Sequence, residues 1–341
     1  MTATFMRMEI DEIPDATRRL LETSGAALRD AGERLRALRP VAIVTIARGS
    51  SDHAAAFLKY AIELAAGIPV ASIGPSVMSI YGRELQLDRC GSISISQSGK
   101  SPDIVAMAQS ARRNGALSIA LTNTAGSPLA VTADIAIDLA AGKEQSVAAT
   151  KSFVSSVVAG LAIVGHWTGD EKLLAALRGL PAAFAAAATA DWTSLAAGLK
   201  GRNSLYVLGR GPALAIAQEA ALKFKETCGI HAEAYSAAEV LHGPARIVEA
   251  GFPVLALAAR DASEAGVAEI VDRLARQGAM TFATTTRVTQ ARQLPFAETG
   301  HPLTDALALV VSFYGFVEMM SRQRGFDPDH PPHLNKVTET V

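Results

Sequence analysis

A cluster of hydroxyl and amide side chains lies in the stretch SISISQSGKSPD, which runs from Ser92 to Asp103. Ser96, Gln97, Ser98 and Ser101 follow a segment that alternates like a strand, and Ser-Pro-Asp is typical of a helix start. Unpaired amides at a helix N-terminus, together with these side chains, form a concave set of donors that suits a phosphate group. A serine-rich cap without a ligand is the alternative.

A second turn of the same build, ARGSSD, places Ser50 and Ser51 at the start of the following helix. Both turns would open at the carboxyl ends of parallel strands, which is where open α/β sheets bind ligands. The sequence GRGPAL from Gly209 lacks the last glycine of the Gly-x-Gly-x-x-Gly pattern. We therefore expect one phosphate site and no nucleotide-binding fingerprint.

Titratable groups are concentrated between Gln218 and Ala245. A helix in this segment should end near Gly229, which leaves Glu226 in its last turn. The helix dipole disfavours a carboxylate at that end and makes Glu226 a better proton acceptor, as a general base requires. Lys223 is one turn back and can reach it, although such a pair is commonly a solvated surface pair.

His242 and Lys336 carry reactive side chains, but the sequence around each residue leaves its role open. Gly243-Pro244 predicts a tight turn that presents the His242 imidazole to a cleft or keeps it in a structural role. Lys336 lies in PPHLNKVTETV, which is too poor in apolar residues to form a core, so a frayed tail is the simpler interpretation.

The composition excludes several classes of protein. The 341 residues are 49% hydrophobic and carry 32 basic against 33 acidic side chains, so no basic field exists for nucleic acid or an anionic membrane. Cys90 and Cys228 lack metal-ligand spacing and are interpreted as buried thiols. The N-terminus lacks the apolar core of a signal peptide, and apolar runs such as 153–167 fall short of the ~20 residues of a membrane span. We expect a cytoplasmic protein without cofactor or metal.

An internal repeat organises the chain. After a helical arm over residues 15–38, apolar strands alternate with Ala-rich helices, which indicates α/β architecture with parallel sheets. VTIARG, which ends at Gly49, matches YVLGRG, which ends at Gly211, at an offset of 162 residues that continues through the next strand. The second copy has no comparable serine cluster. The stretch 151–197 is interpreted as joining helices, punctuated by Gly169 and Pro181.

The ordered set of motifs resembles the sugar isomerase (SIS) family, in particular the isomerase half of glucosamine-6-phosphate synthase. The resemblance rests on SQSG before Ser-Pro-Asp, AGKEQSVAATKSF, LGRG, ALKFKE, IHAEAY, E-x-x-HGP and the terminal Asn-Lys. It implies two flavodoxin-like SIS domains related by duplication, with a hexose 6-phosphate site. The predicted boundaries are a helical arm over 1–39, a first domain with connecting helices over 40–197, a second domain over 198–325 and a tail over 326–341.

The same resemblance implies a role for each candidate residue. Glu226 resembles the base that moves a proton between C1 and C2, Lys223 an accompanying cation, and Lys336 the lysine that forms a Schiff base with the open ketose. His242 resembles the ring-opening histidine, which the neighbouring subunit supplies, so a homodimer with a shared active site is implied. The residues that resemble the phosphate- and sugar-binding set are Ser51, Ser96, Gln97, Ser98, Ser101 and the backbone around Val147.

Departures from the synthase leave the substrate open. Ala149 stands where the synthase has Ser, and Lys100 where it has Glu. No glutaminase domain with its Cys nucleophile precedes this region, so we expect that glutamine is not the nitrogen donor. The leading hypothesis is a deaminase that converts glucosamine 6-phosphate and water to fructose 6-phosphate and ammonia. The alternatives are an aldose-ketose isomerase or deaminase for a galactosamine or fructosamine phosphate, and a non-catalytic sensor of sugar phosphates.

Overall fold

The computed structural model describes residues 3–336. The helices are α1 (Phe5–Asp11), α2 (Ile13–Thr23), α3 (Gly25–Leu38), α4 (Ser50–Ala66), α5 (Ser76–Ser79), α6 (Pro102–Arg113), α7 (Pro128–Thr132), α8 (Lys151–Thr168), α9 (Glu171–Ala187), α10 (Thr193–Gly198), α11 (Pro212–Cys228), α12 (Glu264–Arg276) and α13 (Pro302–Gln323). The strands are β1 (Ala42–Ile46), β2 (Val70–Ser72), β3 (Cys90–Ser96), β4 (Leu117–Thr122), β5 (Ile135–Asp138), β6 (Ser204–Gly209), β7 (His231–Ser236), β8 (Pro253–Ala256), β9 (Met280–Ala283) and β10 (Arg292–Gln293).

The strands form two five-stranded sheets in which the neighbouring strands run parallel. Their orders are β2-β1-β3-β4-β5 and β7-β6-β8-β9-β10, so the second sheet repeats the topology of the first. The central strands are apolar or small throughout because helices cover both faces of such a sheet. The predicted α/β fold with an internal duplication is confirmed.

The two copies also share their backbone turns. Gly49 precedes α4 with φ 56° and ψ −134°, and Gly211 precedes α11 with φ 59° and ψ −135°. This region of φ/ψ space is open to glycine and strained for residues with a Cβ. Gly67 and Gly229 end the same two helices in the left-handed conformation. The 162-residue offset read from the sequence is therefore an offset between equivalent structural positions.

The described chain forms two compact units. The β1–β5 unit contains residues 12–144, 151–178 and 335–336, and the β6–β10 unit contains residues 3–11, 145–150 and 179–334. Each unit thus takes in segments that are distant in sequence.

Two helical predictions need adjustment. The arm consists of α2 and α3, which are separated at Ser24, and the hydroxyl of Ser24 donates to the Asp138 carbonyl at 2.6 Å. The interpretation of Pro181 as a break between helices is wrong, because Pro181 lies inside α9. Leu180 and Phe184 are fully buried on either side of it, and their burial outweighs the one backbone hydrogen bond that proline removes.

Helix α13 is the one helix of residues 3–336 that is long and apolar enough to cross a membrane. In the fold, however, 89% of its apolar stretch is buried within the protein. Its Phe313, Tyr314 and Phe316 pack in the core together with Phe224 of α11. A helix buried in this way has the character of a core element, because a helix that is hydrophobic all round must be covered by other elements or by lipid.

Candidate active site

The turn between β3 and α6 arranges its serine hydroxyls around backbone amides. The Ser96 Oγ accepts a hydrogen bond from the Gly99 amide at 3.1 Å, and the Ser98 Oγ accepts one from the Lys100 amide at 3.3 Å. A hydroxyl that accepts an amide proton keeps its own proton for donation. Each of the two hydroxyls therefore has a proton left to donate to another group.

Neighbouring strands fix the path of this turn. The Gln97 carbonyl accepts the Asn123 amide at 3.1 Å, beyond the end of β4. Gly99 has φ +62°, and a Cβ at this position would collide with Ser127 and Thr122. Only glycine allows the turn to pass so close to these side chains.

Ser101 is the N-cap of α6, as predicted, and Pro102 is its first residue. The Ser101 side chain makes no cap hydrogen bond, although serine is favoured at this position for such a bond. Its φ and ψ of −59° and 116° and its backbone bond from Val105 at 3.0 Å define the helix start without the hydroxyl. The Ser101 hydroxyl is not used by the cap.

An ion pair that the sequence analysis missed joins the two serine turns. Arg48, from the turn before α4, pairs with Asp103 in the first turn of α6. The Asp103 side chain is fully buried, whereas 41% of the Arg48 side chain is exposed. Ser51 lies in the first turn of α4, close in sequence to Arg48, and is half-buried. The pair fixes the two turns relative to each other because a buried carboxylate strongly requires its counter-charge.

Lys336 also lies in the β1–β5 unit. Its Nζ is 2.9 Å from Glu144 Oε2, and the Glu144 side chain is fully buried at the start of α8. The frayed-tail interpretation does not hold at this residue, because its ammonium has a specific carboxylate partner. The remaining predicted tail residues, 337–341, lie outside the described residues.

The proposed base lies in the β6–β10 unit, in the last turn of α11. Helix α11 ends at Cys228 and is capped by Gly229 in the left-handed conformation, as predicted. The Lys223 Nζ donates to Glu226 Oε2 at 2.6 Å and is 3.2 Å from Glu219 Oε1. Because Lys223 and Glu219 are fully buried, this is not the solvated surface pair that the spacing alone favours.

Glu219 and Tyr314 belong to this charged cluster, and the sequence analysis missed both. The Tyr314 hydroxyl donates to Glu219 Oε1 at 3.1 Å. Burial alone lowers the pKa of Lys223, but the charges of Glu219 and Glu226 and their hydrogen bonds outweigh it and raise this pKa above the ordinary value. Lys223 is therefore a permanent ammonium. The helical spacing of Glu219 and Lys223 was a usable signal, whereas nothing local in the sequence links Tyr314 to them.

Glu226 is the member of the cluster that faces open space. Its side chain is 20% exposed and lines a cavity of about 370 Å³. The walls of that cavity are mostly apolar, and their residues are Leu222, Lys225, Thr227, Gly229, Phe326, Asp327, Pro331, Pro332 and Leu334. A carboxylate held by a buried ammonium at an apolar cavity is suited to accept and return a proton.

His242 and Val147 lie in other parts of the same unit. His242 ends a 3₁₀ turn, Glu239–His242, and is exposed, and Gly243 with φ 148° makes the predicted tight turn. The Val147 amide donates to the Asp329 carbonyl at 3.2 Å. Glu9 of α1 accepts from the Ser146 amide at 3.3 Å, so helix α1 fixes the loop that contains Val147.

The fold and the two chemical centres define a class of protein: a duplicated parallel α/β chain with a serine-rich turn at the end of a central strand and a buried carboxylate–ammonium pair. Residues 40–164 and 198–291 match the model of the SIS domain. The chain belongs to the SIS domain family.

The glutamine–fructose-6-phosphate aminotransferase (isomerizing) of Pyrobaculum aerophilum is 34% identical over 360 residues, which cover 99% of this chain and 57% of the relative. The chain thus spans little more than half the length of the curated relatives it matches.

Two solved structures are also similar. A protein of Silicibacter pomeroyi DSS-3, described as a candidate phosphosugar isomerase, has a TM-score of 0.93 and 55% identity, with coverage of 96% of this chain and 100% of that one. The C-terminal domain of the glucosamine-fructose-6-phosphate aminotransferase of Francisella tularensis has a TM-score of 0.86 and 25% identity, with coverage of 97% and 99%.

Proposed function

We propose that the protein is an amino-sugar phosphate deaminase that converts glucosamine 6-phosphate and water to fructose 6-phosphate and ammonia. The observation that carries the proposal is the buried pair of Lys223 and Glu226, whose carboxylate lines the 370 Å³ cavity. A fully buried ammonium beside a partly exposed carboxylate is costly as a structural device, and such pairs are concentrated at functional sites. The similarity to isomerizing aminotransferases of fructose 6-phosphate supports the substrate class.

The phosphate is assigned to the serine turns. The hydroxyls of Ser51, Ser96, Ser98 and Ser101 and the start of α6 supply the donors. Asp103 is nearby in sequence, but Arg48 neutralises it. Gln97 and the backbone around Val147 are assigned to the sugar.

The chemistry requires one ring opening, one proton transfer and one hydrolysis. His242 opens the pyranose ring by moving a proton between the ring oxygen and the C1 hydroxyl. Glu226 removes the C2 proton and returns it to C1, which converts the open-chain 2-amino aldose to the ketimine. Water then adds to C2, and ammonia leaves as the C2 carbonyl forms. Lys336 acts at the carbonyl end through its amine.

An aldose-ketose isomerase is the second candidate, because the same carboxylate would serve a phosphosugar without an amino group. The similarity to the Silicibacter pomeroyi protein favours this candidate. Galactosamine and fructosamine phosphates are alternative substrates, and the assay described next includes both. A non-catalytic sensor would bind sugar phosphates without turnover.

A coupled assay of ammonia and fructose 6-phosphate separates these candidates. Purified protein is incubated in turn with glucosamine, galactosamine and fructosamine phosphates and with fructose 6-phosphate. Equal amounts of ammonia and ketose from glucosamine 6-phosphate support the proposal. Interconversion of phosphosugars without ammonia assigns the isomerase, and binding without any product assigns the sensor.

The general-base role predicts that Glu226→Gln lowers kcat by ~10²–10⁴ while the sugar phosphate still binds. Steady-state kinetics and calorimetric titration with fructose 6-phosphate measure the two effects. Glu249→Gln, at an exposed position of the same unit, is the matched control and should keep the activity of the unaltered chain. An unchanged kcat in Glu226→Gln removes this residue from the mechanism.

The homodimer is tested by complementation. If the partner supplies His242, subunit exchange between Glu226→Gln and His242→Ala chains creates heterodimers with one complete site. Activity should then recover to about one quarter of the unaltered value, because half of the dimers carry one of two working sites. No recovery after confirmed exchange means that both residues act in the same subunit. Restoration of His242→Ala by an open-chain substrate would support its ring-opening role.

A further inference from the structure

A buried carboxylate at the start of α8 is fixed from two sides. Glu144 accepts the Ser152 amide at 3.1 Å and the Ser152 hydroxyl at 2.6 Å. Ser152 is the second residue of α8, so the carboxylate lies at a helix N-terminus, where the helix dipole favours an anion. Because Ser152 donates twice from a buried helix, Glu144 is a rigid point of negative charge.

Lys336 reaches this point from the far end of the chain. Its Nζ is 2.9 Å from Glu144 Oε2, and its side chain is 24% exposed. The residues around Lys336 contribute little burial, since His333, Leu334 and Asn335 are all exposed. Attraction between unit charges is much stronger at a buried carboxylate than in water, so this contact determines where the amine lies.

We propose that Glu144 is the positioning residue for Lys336, and the proposal rests on the proposed function in which Lys336 condenses with an open-chain ketose phosphate. In that step the ammonium gives one proton to solvent, Nζ forms a bond to the carbonyl carbon, and the carbonyl oxygen leaves as water. Glu144 takes no part in bond making. It keeps the lysine stem on one side of the reacting carbon, and small errors in such placement reduce rates by about 10²-fold.

The first experiment measures the position of the amine without any substrate. The intact protein is labelled briefly with acetic anhydride at fixed pH, and the modified fraction of Lys336 is measured by mass spectrometry. Glu144→Gln should label Lys336 several-fold faster than the unaltered chain. Glu12→Gln is the matched control, because Glu12 pairs with the buried Lys151 at 2.5 Å in the same unit and has no bond to Lys336.

The second experiment measures imine formation with fructose 6-phosphate as the probe. Borohydride reduces the imine to a stable secondary amine, and peptide mapping gives its yield at Lys336. Glu144→Gln should lower the trapping rate by at least about tenfold and leave the Kd for fructose 6-phosphate within about twofold. Glu144→Asp keeps the charge, so it should recover a substantial part of the rate. A thermal melt checks that each variant is folded.

The outcomes separate the two proposals. Unchanged labelling and trapping in a folded Glu144→Gln overturn the positioning role while the proposed function stands. Faster labelling of Lys336 in Glu144→Gln, with no imine and no turnover in the unaltered chain, supports the positioning contact and overturns the proposed function. Faster labelling with lower trapping, and recovery in Glu144→Asp, support both.

Discussion

Lys223 is fully buried and pairs with two carboxylates, of which Glu219 is fully buried and Glu226 is 20% exposed. Removing one partner of a buried ion pair leaves the other charge uncompensated, which costs ~3–5 kcal/mol. We therefore expect Lys223→Met to destabilise the fold by about this amount, because Glu219 is fully buried and has Tyr314 as a neutral donor. Urea unfolding measures the change. Lys225→Met, at an exposed position two residues further on, should stay within ~0.5 kcal/mol.

The pH dependence of that difference follows from the raised pKa of Lys223. A group whose pKa is higher in the folded state contributes its full stability below its unfolded pKa, which is about 10.4 for lysine. The contribution disappears only as the pH rises through the folded value. The contribution of Lys223 to the difference in unfolding free energy between Lys223→Met and the unaltered chain should therefore be constant from pH 6 to 9. A difference that shrinks in this range would contradict a permanent ammonium.

The thiol of Cys228 gives a second test at the residue scale. Burial raises the pKa of Cys228 to about 11, against smaller opposing effects of the Thr227 hydroxyl and the Arg324 charge. The thiolate is the reactive form, and Cys90 is buried as well. At pH 8 an aromatic disulfide reagent should label the native protein slowly and label two thiols per chain in guanidinium chloride. Rapid labelling of the native chain would contradict the packing around α11.

At the scale of the element, the turn between β3 and α6 depends on one glycine. Gly99→Ala combines the strain of a left-handed residue, ~1–2 kcal/mol, with collisions against Ser127 and Thr122. Gly126→Ala is the matched control, because Gly126 has φ +70° and open space around its Cβ position. We expect Gly126→Ala to lose only the strain, and Gly99→Ala to lose ~1–3 kcal/mol more and to weaken sugar-phosphate binding. Equal losses of unfolding free energy in the two variants would show that the close contact of Gly99 with Ser127 and Thr122 does not affect stability.

The sequence predicted elements better than contacts between them. Strand and helix positions follow from local periodicity and from glycine at helix ends, so β1, α4, β6 and α11 were all foreseeable. The contact of Lys223 with Glu226 follows from helical spacing. The pair of Arg48 and Asp103 depends on the order β2-β1-β3, which places the two turns side by side, and the local sequence does not encode that order. Pro181 failed as a helix terminator because burial outweighed local preference.

At the scale of the whole molecule, the two sheets share one topology, but both serine turns lie in the β1–β5 unit. In the second sheet the segment Ala258–Ser263 follows β8, which corresponds to β3. Asp261 accepts the Ser263 amide at 2.7 Å and its hydroxyl at 2.6 Å, so both donors of Ser263 are occupied by a carboxylate. Arg260 is directed to Asp305 and the Thr284 carbonyl. The turn is thereby unsuited to an anion.

We therefore expect one fructose 6-phosphate per chain in a calorimetric titration. The same ligand at one hundred times its Kd should stabilise the folded chain by ~2.7 kcal/mol, which a thermal melt detects. Ser96→Ala together with Ser98→Ala should abolish binding and leave no residual site. A stoichiometry of two per chain, or binding that survives both substitutions, would contradict a single phosphate site.

The contact between Asp329 and helix α1 joins the first and last segments of the β6–β10 unit. The carboxylate of Asp329 accepts the amides of Phe5 and Met6, both at 2.7 Å, across more than 320 residues of intervening backbone. A cut at the exposed tip around Gly82, in place of the present chain ends, would leave this contact and Lys336 on one continuous segment. We expect such a permuted chain to fold, which would make a circularly permuted gene a practical route to reporters inserted at that tip.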